Sequence, residues 1–297
     1  MAIPFDRDFD APYGVDIQVS PRIRRVLAPN PGPFTFKGTG VYIVGGDDVA
    51  VVDPGPDMPD HIEALKRALA GKRITHILIT HTHIDHSPAA KPLKQWSGAQ
   101  TYAFGPHGAG NADKSVKVEE GGDMDFAPDI RLRDGDVIEG ADFTIDCVYT
   151  PGHTSNHLCF ALREERALFT GDHVMGWSTT VVAPPDGDMA DYMASLAKLR
   201  ARDDAVLWPT HGGPVENPSY LLDAYIRHRR EREAQILSAL GDGVETIPEI
   251  VSKLYADIDK RLHAAAARSV LAHLIQLIDE GRVVVTGSGS AARYKRR

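Results

Sequence analysis

Residues 74–80 form an apolar run that ends directly in Thr80-His81-Thr82-His83-Ile84-Asp85-His86. Four side chains of metal-ligating type fall within six positions, straight after a stretch that reads as a buried strand. On an extended segment, residues two apart point the same way, so His81 and His83 can grip one ion together. Asp85 and His86 lie where the chain is expected to turn into a helix, with Pro88 in its first turn. They therefore address a slightly different point in space. Four such ligands crowd one tetrahedral or octahedral ion, whereas two ions side by side accommodate them. A loop of solvated histidines explains any one of these residues but not the set.

Three further stretches repeat the pattern: Thr150-Pro151-Gly152-His153, Thr170-Gly171-Asp172 and Pro209-Thr210-His211-Gly212. In each, a ligand-type side chain stands where an apolar run ends and a glycine-containing turn begins, the kind of loop on which sites are assembled. Together the four stretches hold five histidines and two aspartates, enough for two ions.

The rest of the chain indicates how these loops are carried. Short β-type runs are expected at 15–19, 23–27, 41–44, 49–53, 101–104, 143–149, 158–162, 167–170 and 205–208. Helical spacing follows Pro56 and recurs at 191–201. This mixture predicts an α/β (α+β) body of two mixed sheets with helices outside. Residues 218–240 read as one long helix, and Thr246 to Glu249 as a capping box. An Ala-rich helix over 262–279 and a β-type run at 283–285 complete a winged-helix-like unit. The expected division is 1–217 for the body, 218–243 for a linking helix and 244–297 for the small unit.

Composition agrees with a globular chain, at 42% hydrophobic and 25% charged residues, and excludes wholesale disorder and coiled coil. The net charge of −8 argues against a molecule coated in nucleic-acid-binding surface. From Tyr220 onward 13 Lys and Arg stand against 10 Asp and Glu, which leaves 20 against 31 in the body. Cys147 and Cys159 are too few for a disulfide framework and read as small buried hydrophobes. No apolar stretch is long enough to span a membrane, and the first residues have no signal-peptide pattern. A cytoplasmic location is the resulting expectation.

The ligand order HxHxDH, then a histidine in a GHT turn, an aspartate in a GD turn and a histidine in an HG turn, resembles that of the metallo-β-lactamase fold superfamily. The likeness spans residues 15–215. More narrowly, the chain resembles the β-lactamase-like protein 2 group, bacterial relatives of an animal mitochondrial endoribonuclease. The matching stretches are VDPG at 52–55, TPGHTSNH at 150–157, GDHVMGWSTTVV at 171–182, the helix at 225–237 and the winged-helix-like tail. The resemblance implies an αββα metallo-β-lactamase sandwich. It also implies one metal site of His81, His83 and His153, a second of Asp85, His86 and His211, and Asp172 bridging both. Thr82 departs from the family pattern, standing where an aromatic is common, and 105–129 is a polar, Gly-rich insertion.

A ligand set of His and Asp without Cys suits zinc, with manganese or iron as alternatives. Two such divalent ions, about 3.5–4 Å apart, lower the pKa of a water between them toward neutrality for attack on a carbonyl or a phosphorus. Asp85 is the candidate catalytic residue, placed to orient that water and pass its proton to the leaving group. True β-lactamases of this fold generally lack the bridging aspartate, so β-lactam hydrolysis is not expected. Two substrate classes remain, single-stranded RNA and a small ester, thioester or lactone. A non-catalytic nucleic-acid-binding or interaction module with structural metal is the third alternative.

His157, His173 and Trp177 neighbour the ligands and read either as contacts around the site or as packing. His61, His76, His107, His228, His263 and His273 read as structural, and the Arg227–Arg232 run as a solvated helix face. The tail can bind nucleic acid, cover the body or form a dimer interface, with packing on the body expected first.

Overall fold

The segment GVYIV is buried at all five positions, which requires a strand covered on both faces. It is β3 (Gly40–Val44) in a computed structural model that describes residues 3–111, 121–256 and 260–297. The sheet that holds it runs in chain order: β1 (Asp16–Gln18), β2 (Ile23–Leu27), β3, β4 (Asp48–Val52), β5 (Arg73–Leu78), β6 (Gln100–Ala103) and β7 (Ile130–Arg131). Its first four strands pair antiparallel, with short turns between β1 and β2 and between β3 and β4 and a longer loop between β2 and β3. From β4 onward the pairing is parallel. Helices α1 (Pro59–Ala68) and α2 (Ala90–Ser97) make the first two parallel crossovers.

The second sheet contains β8 (Val137–Glu139), β9 (Thr144–Tyr149), β10 (Leu158–Leu162), β11 (Ala167–Gly171) and β12 (Val206–Pro209), again in neighbouring order. Only β11 and β12 are parallel, joined by α3 (Met189–Arg200). One apolar layer, including Tyr42, Val52 and Leu78 from the first sheet and Phe160, Phe169 and Trp208 from the second, fills the space between them. Each such side chain, fully buried, contributes about 1.5–3 kcal/mol. Helices α1 and α2 cover the outer face of the first sheet, burying Leu65 and Leu93. Helix α3 covers the second with Tyr192 and Leu196. The result is the expected sandwich of two mixed sheets between helices. The short strands β7 and β8 had no periodicity to announce them.

Helix α4 (Pro218–Gly241) belongs to two cores. Its first turns place Leu221, Leu222 and Tyr225 in the α3 layer, and its last place Ile236 and Leu240 in a separate cluster. That cluster is completed by α5 (Ile247–Leu254), α6 (His263–Asp279) and the hairpin of β13 (Val283–Thr286) with β14 (Arg293–Arg296). The capping box of Thr246 and Glu249 opens α5 as expected.

Two sequence expectations need correction. The helix expected near Asp85 begins at Ala90. Residues 83–87 instead make tight turns in which the His83 carbonyl accepts from the backbone N–H groups of both His86 and Ser87. A regular helix from Asp85 would swing successive side chains by about 100° each, whereas here Asp85 and His86 both face inward. The Arg227–Arg232 run is not simply a solvated face either. Arg229 is buried beneath α4, and Arg232 lies over the Tyr255 ring of the C-terminal unit.

Candidate metal centre

All the ligand-type residues leave the carboxyl ends of strands. β5 runs into His81, β9 into the turn of His153, β11 into Asp172 and β12 into His211. Two glycines make the approach possible. Gly152 sits at a φ of 128°, and a Cβ there would lie 2.3 Å from the Tyr192 backbone at the start of α3. Gly171, at a φ of 51°, has no room for a Cβ, which would meet His157 at 2.6 Å and Thr80 at 2.7 Å. Small residues at these turns let the loops close on one another.

The side chains form two clusters that share one carboxylate. In the first, His83 Nδ1 lies 2.9 Å from His81 Nε2 and 3.2 Å from His153 Nε2. In the second, Asp85 Oδ2 lies 3.1 Å from His211 Nε2 and 3.5 Å from His86 Nε2. Asp172 stands between them. Its Oδ1 is 3.3 Å from His211 Nε2, and its Oδ2 is 3.9 Å from His153 Nε2. Within each of the triads His81–His83–His153, His81–His86–Asp172 and Asp85–His86–His211, the ligand atoms lie within 4.8 Å of one another.

The outward nitrogens fix which atoms face inward. His86 Nδ1 donates to Asp53 Oδ2 at 2.9 Å, His153 Nδ1 to the Val181 carbonyl at 2.7 Å, and His211 Nδ1 to the Gly38 carbonyl at 3.0 Å. Thr80 Oγ1 gives its proton to Asp53, so it accepts from His81 Nδ1 at 3.1 Å. Each of these rings therefore directs its Nε2 at the centre. Three nitrogens meet in the first cluster, and one proton can serve only one contact among them. Neither His86 Nε2, His211 Nε2 nor Asp172 Oδ1 finds a well-aligned hydrogen bond, although all are buried. Such convergence of orphaned donor atoms fits divalent cations, and the outward hydrogen bonds are of the kind that orient histidine ligands.

Electrostatics divide the two clusters. Burial, followed by the neighbouring imidazoles, holds His81 well below its ordinary value and His83 down to about 3, so both stay neutral. Burial also opposes charge on His211, but Asp172 and Asp85 overcome it and lift the ring to about 10. His86 is raised well above its usual range in the same way by Asp85, Asp172 and Asp53, against its burial. Burial favours the neutral acid at Asp85, yet the His86 and His211 rings hold its carboxyl below the normal range. A bound cation would take the place of those ring protons.

A family model for the metallo-beta-lactamase superfamily matches residues 35–211, more than half of the chain, and spans every residue of both clusters. The chain belongs to the metallo-β-lactamase superfamily. A second model, the beta-lactamase associated winged helix domain, matches residues 246–293. Among relatives, the beta-lactamase-like protein 2 homolog of Caenorhabditis elegans is 34% identical, covering 90% of this chain and 87% of its own. An atrochrysone carboxyl ACP thioesterase from a Cryptosporiopsis species is 28% identical over 90% of this chain and 82% of its own. A beta-lactamase domain protein from Burkholderia ambifaria shares the fold, with a TM-score of 0.81 at 20% identity over 99% of this chain and 97% of that one.

All seven candidate ligands read from the sequence of this metallo-β-lactamase superfamily member thus meet in one place. His157 and His173 lie behind the clusters. The His157 ring stacks on His81 at 5.2 Å, and His173 packs between His157 and Tyr192. Trp177 is half-buried, stacks on Phe36 at 4.7 Å and rests against the turn at Gly212. His107 is more engaged than its sequence context suggests, since its Nδ1 lies 2.8 Å from Thr82 Oγ1, which also accepts from Asn156. This polar network occupies the position where the family commonly has an aromatic. The flanks of the 105–129 insertion border the same loop through Gly121, Asp123 and His107, while 112–120 lie outside the described residues.

Sequence reasoning missed Asp53. Fully buried at a φ of 48°, it accepts from Thr80 N–H, Thr80 Oγ1, His86 Nδ1 and Thr210 Oγ1. It therefore ties the loop of residues 80–87 to the loop that carries His211. The available signal was an aspartate closing an apolar strand immediately before Pro54-Gly55, a turn position where Asp tolerates a left-handed backbone.

Proposed function

We propose that the protein is a metal-dependent hydrolase of acyl bonds, acting on an ester or thioester of an apolar acid. The observation that carries this reading is the Asp172 carboxylate, which presents one oxygen to each of two ligand clusters. His81, His83 and His153 would hold one divalent ion, and Asp85, His86 and His211 the other, with zinc favoured by the nitrogen and oxygen donors. Bound there, such ions would polarise the substrate carbonyl and make a water nucleophilic near neutral pH.

The protein's own groups then divide the work. Asp53, Gly38 and Val181 hold the imidazoles in the tautomer that aims a lone pair inward. Asp85 and His83 are the half-buried members of the set, and the others are buried. Asp85 is therefore placed to take a proton from the attacking water and deliver it to the leaving sulfur or oxygen. The C–S or C–O bond breaks as the new C–O bond forms, and both products leave without any redox partner.

Residues around the clusters support an apolar acyl group over a polyanion. Ile84 projects from the ligand loop itself at 57% exposure, and Phe36 and Trp177 stack beside His211. The N-terminal segment bonded to Gly176 and Trp177 carries Asp6 and Asp8 as well as Arg7. Kinship with a protein named as a thioesterase points the same way.

A panel of an acyl thioester, a lactone, single-stranded RNA and a cephalosporin, offered to the zinc-loaded protein and to Asp85→Asn, tests the proposal. Thioester or ester turnover that Asp85→Asn abolishes and that changes little between low and moderate salt is the expected outcome. RNA cleavage falling steeply with salt, as phosphate contacts demand, overturns the acyl assignment in favour of the nuclease. No turnover of any substrate by protein holding two ions favours the non-catalytic alternative.

A further inference from the structure

The segment from Asp172 to Val181 carries two elements of the centre, the shared carboxylate and the carbonyl that orients His153. It has no regular secondary structure, so something else must hold it. Within the segment, Thr180 Oγ1 lies 2.7 Å from the Asp172 carbonyl and 3.0 Å from that of His173. From outside, Tyr192 of α3 donates to the His173 carbonyl at 2.9 Å. Thr170 Oγ1 donates to the Val174 carbonyl and Asp6 N–H to that of Gly176, and helix α4 supplies further contacts. The Tyr225 hydroxyl lies 2.6 Å from the Met175 carbonyl and also meets that of Ser178, and Arg229 Nη2 donates to the Thr180 carbonyl.

Arg229 is an unusual choice for a structural prop. Its side chain is buried, its Nε has no hydrogen-bond partner, and no carboxylate among the described residues pairs with it. What faces it is the Tyr192 ring, 5.1 Å from the guanidinium carbon, together with His273 of α6. Burying a cation without an anion costs stability, and replacing such a group by an apolar one of similar volume is often neutral or better. The arrangement makes sense if the Thr180 carbonyl must be held in place, because the next carbonyl, Val181, receives the His153 Nδ1 proton.

We infer that Arg229 is a positioning residue for the metal centre, acting through Thr180 and Val181 on His153. The same contact makes α4 a brace between that centre and the C-terminal unit, which holds the other end of α4 through Arg232 over Tyr255 and Glu233 paired with Arg282. The inference rests on the metal-centre reading above, and its readout is metal affinity rather than turnover.

Cobalt(II) titration followed by visible absorption, with zinc equilibrium dialysis as a second measure, should be run on the parent, Arg229→Met, Arg229→Lys, Tyr225→Phe and Arg230→Gln. Arg229→Met is expected to bind the first ion about 10–100-fold more weakly, as when a ligand's orienting partner is lost. Its metal-free melting temperature should stay at or above the parent's, which a merely structural role would not allow. Arg229→Lys, which still offers a donor to Thr180, should recover most of the affinity, and the exposed Arg230→Gln should match the parent. Equal affinity in Arg229→Met and parent overturns the inference. Should Arg229→Met fail to fold, Tyr225→Phe decides, since it keeps the ring and frees the Met175 and Ser178 carbonyls. A tenfold loss there supports the brace, and unchanged affinity rejects it. A parent protein that takes up no divalent ion removes the underlying reading as well, an outcome distinct from the others.

Discussion

At the scale of single residues, the centre depends on two carboxylates with different tasks. Asp172 faces both clusters, so Asp172→Ala should lower the ions held per chain from two toward one. Its affinity loss should exceed the roughly 100-fold upper range for residues that only support ligands. Elemental analysis after dialysis against a weak chelator measures this, and a variant that retains both ions would refute the bridging role. Asp53 touches no position where an ion would sit. Asp53→Asn turns one acceptor oxygen into a donor among four donors, leaving a buried clash of N–H groups. A cost of about 1–3 kcal/mol in metal-free stability is expected, with a 10–100-fold loss of metal affinity through the released His86 ring. Urea unfolding of the metal-free protein and competition with a chelator separate the two effects.

At the scale of elements, the site is a set of strand ends drawn together by turns that only glycine permits. Gly152→Ala forces a Cβ to within 2.3 Å of the Tyr192 backbone and keeps a left-handed φ, so the TPGH turn must move away from α3. Strain and overpacking together should destabilise the protein by about 2–3 kcal/mol. His153 should be displaced with the turn, so metal uptake should fall even where the variant stays folded. Denaturant titration alongside metal content tests this, and parental values for both would show that the turn has slack. The late start of α2 at Ala90 belongs to the same scale. Local propensity and Pro88 suggest a helix from Asp85, but Asp85 and His86 must both turn toward His211, and the backbone bends to allow it.

At the scale of the whole molecule, α4 joins the sandwich to the C-terminal unit, and its inner face is rich in cationic and titratable groups. His273 of α6 lies against that face, pushed from its ordinary 6.5 to about 3 by burial and by the nearby Arg229, Arg232 and His228. Its folded value lies below its unfolded one, so the unfolded chain binds the extra proton as pH falls. Stability is therefore unaffected by this group above about pH 6.5 and is lost progressively between there and pH 3. At pH 5 the loss from His273 amounts to about 2 kcal/mol. Unfolding free energies of the metal-free protein at pH 7.5 and pH 5 should differ by about that much less in His273→Gln than in the parent. Equal pH dependence in both would remove His273 as the source. No helix among the described residues is long and apolar enough to cross a membrane.

Much of this was legible from the amino-acid order because it is local. Alternating and continuous apolar runs specify strands, a capping box starts a helix, and glycine turns mark where ligands leave a sheet edge. The seven candidate ligands were readable because each lies on a loop that follows a strand end. The tertiary structure alone decided what surrounds them. Whether a histidine nitrogen faces inward depends on which acceptor holds the opposite nitrogen, and those acceptors, Asp53, Gly38 and Val181, lie 33, 173 and 28 residues from their partners. Likewise, a run of arginines on a helix carries no mark of which one is buried. That follows from where the loop carrying Asp172 comes to rest, because the buried guanidinium is the one whose Nη2 meets the Thr180 carbonyl of that loop.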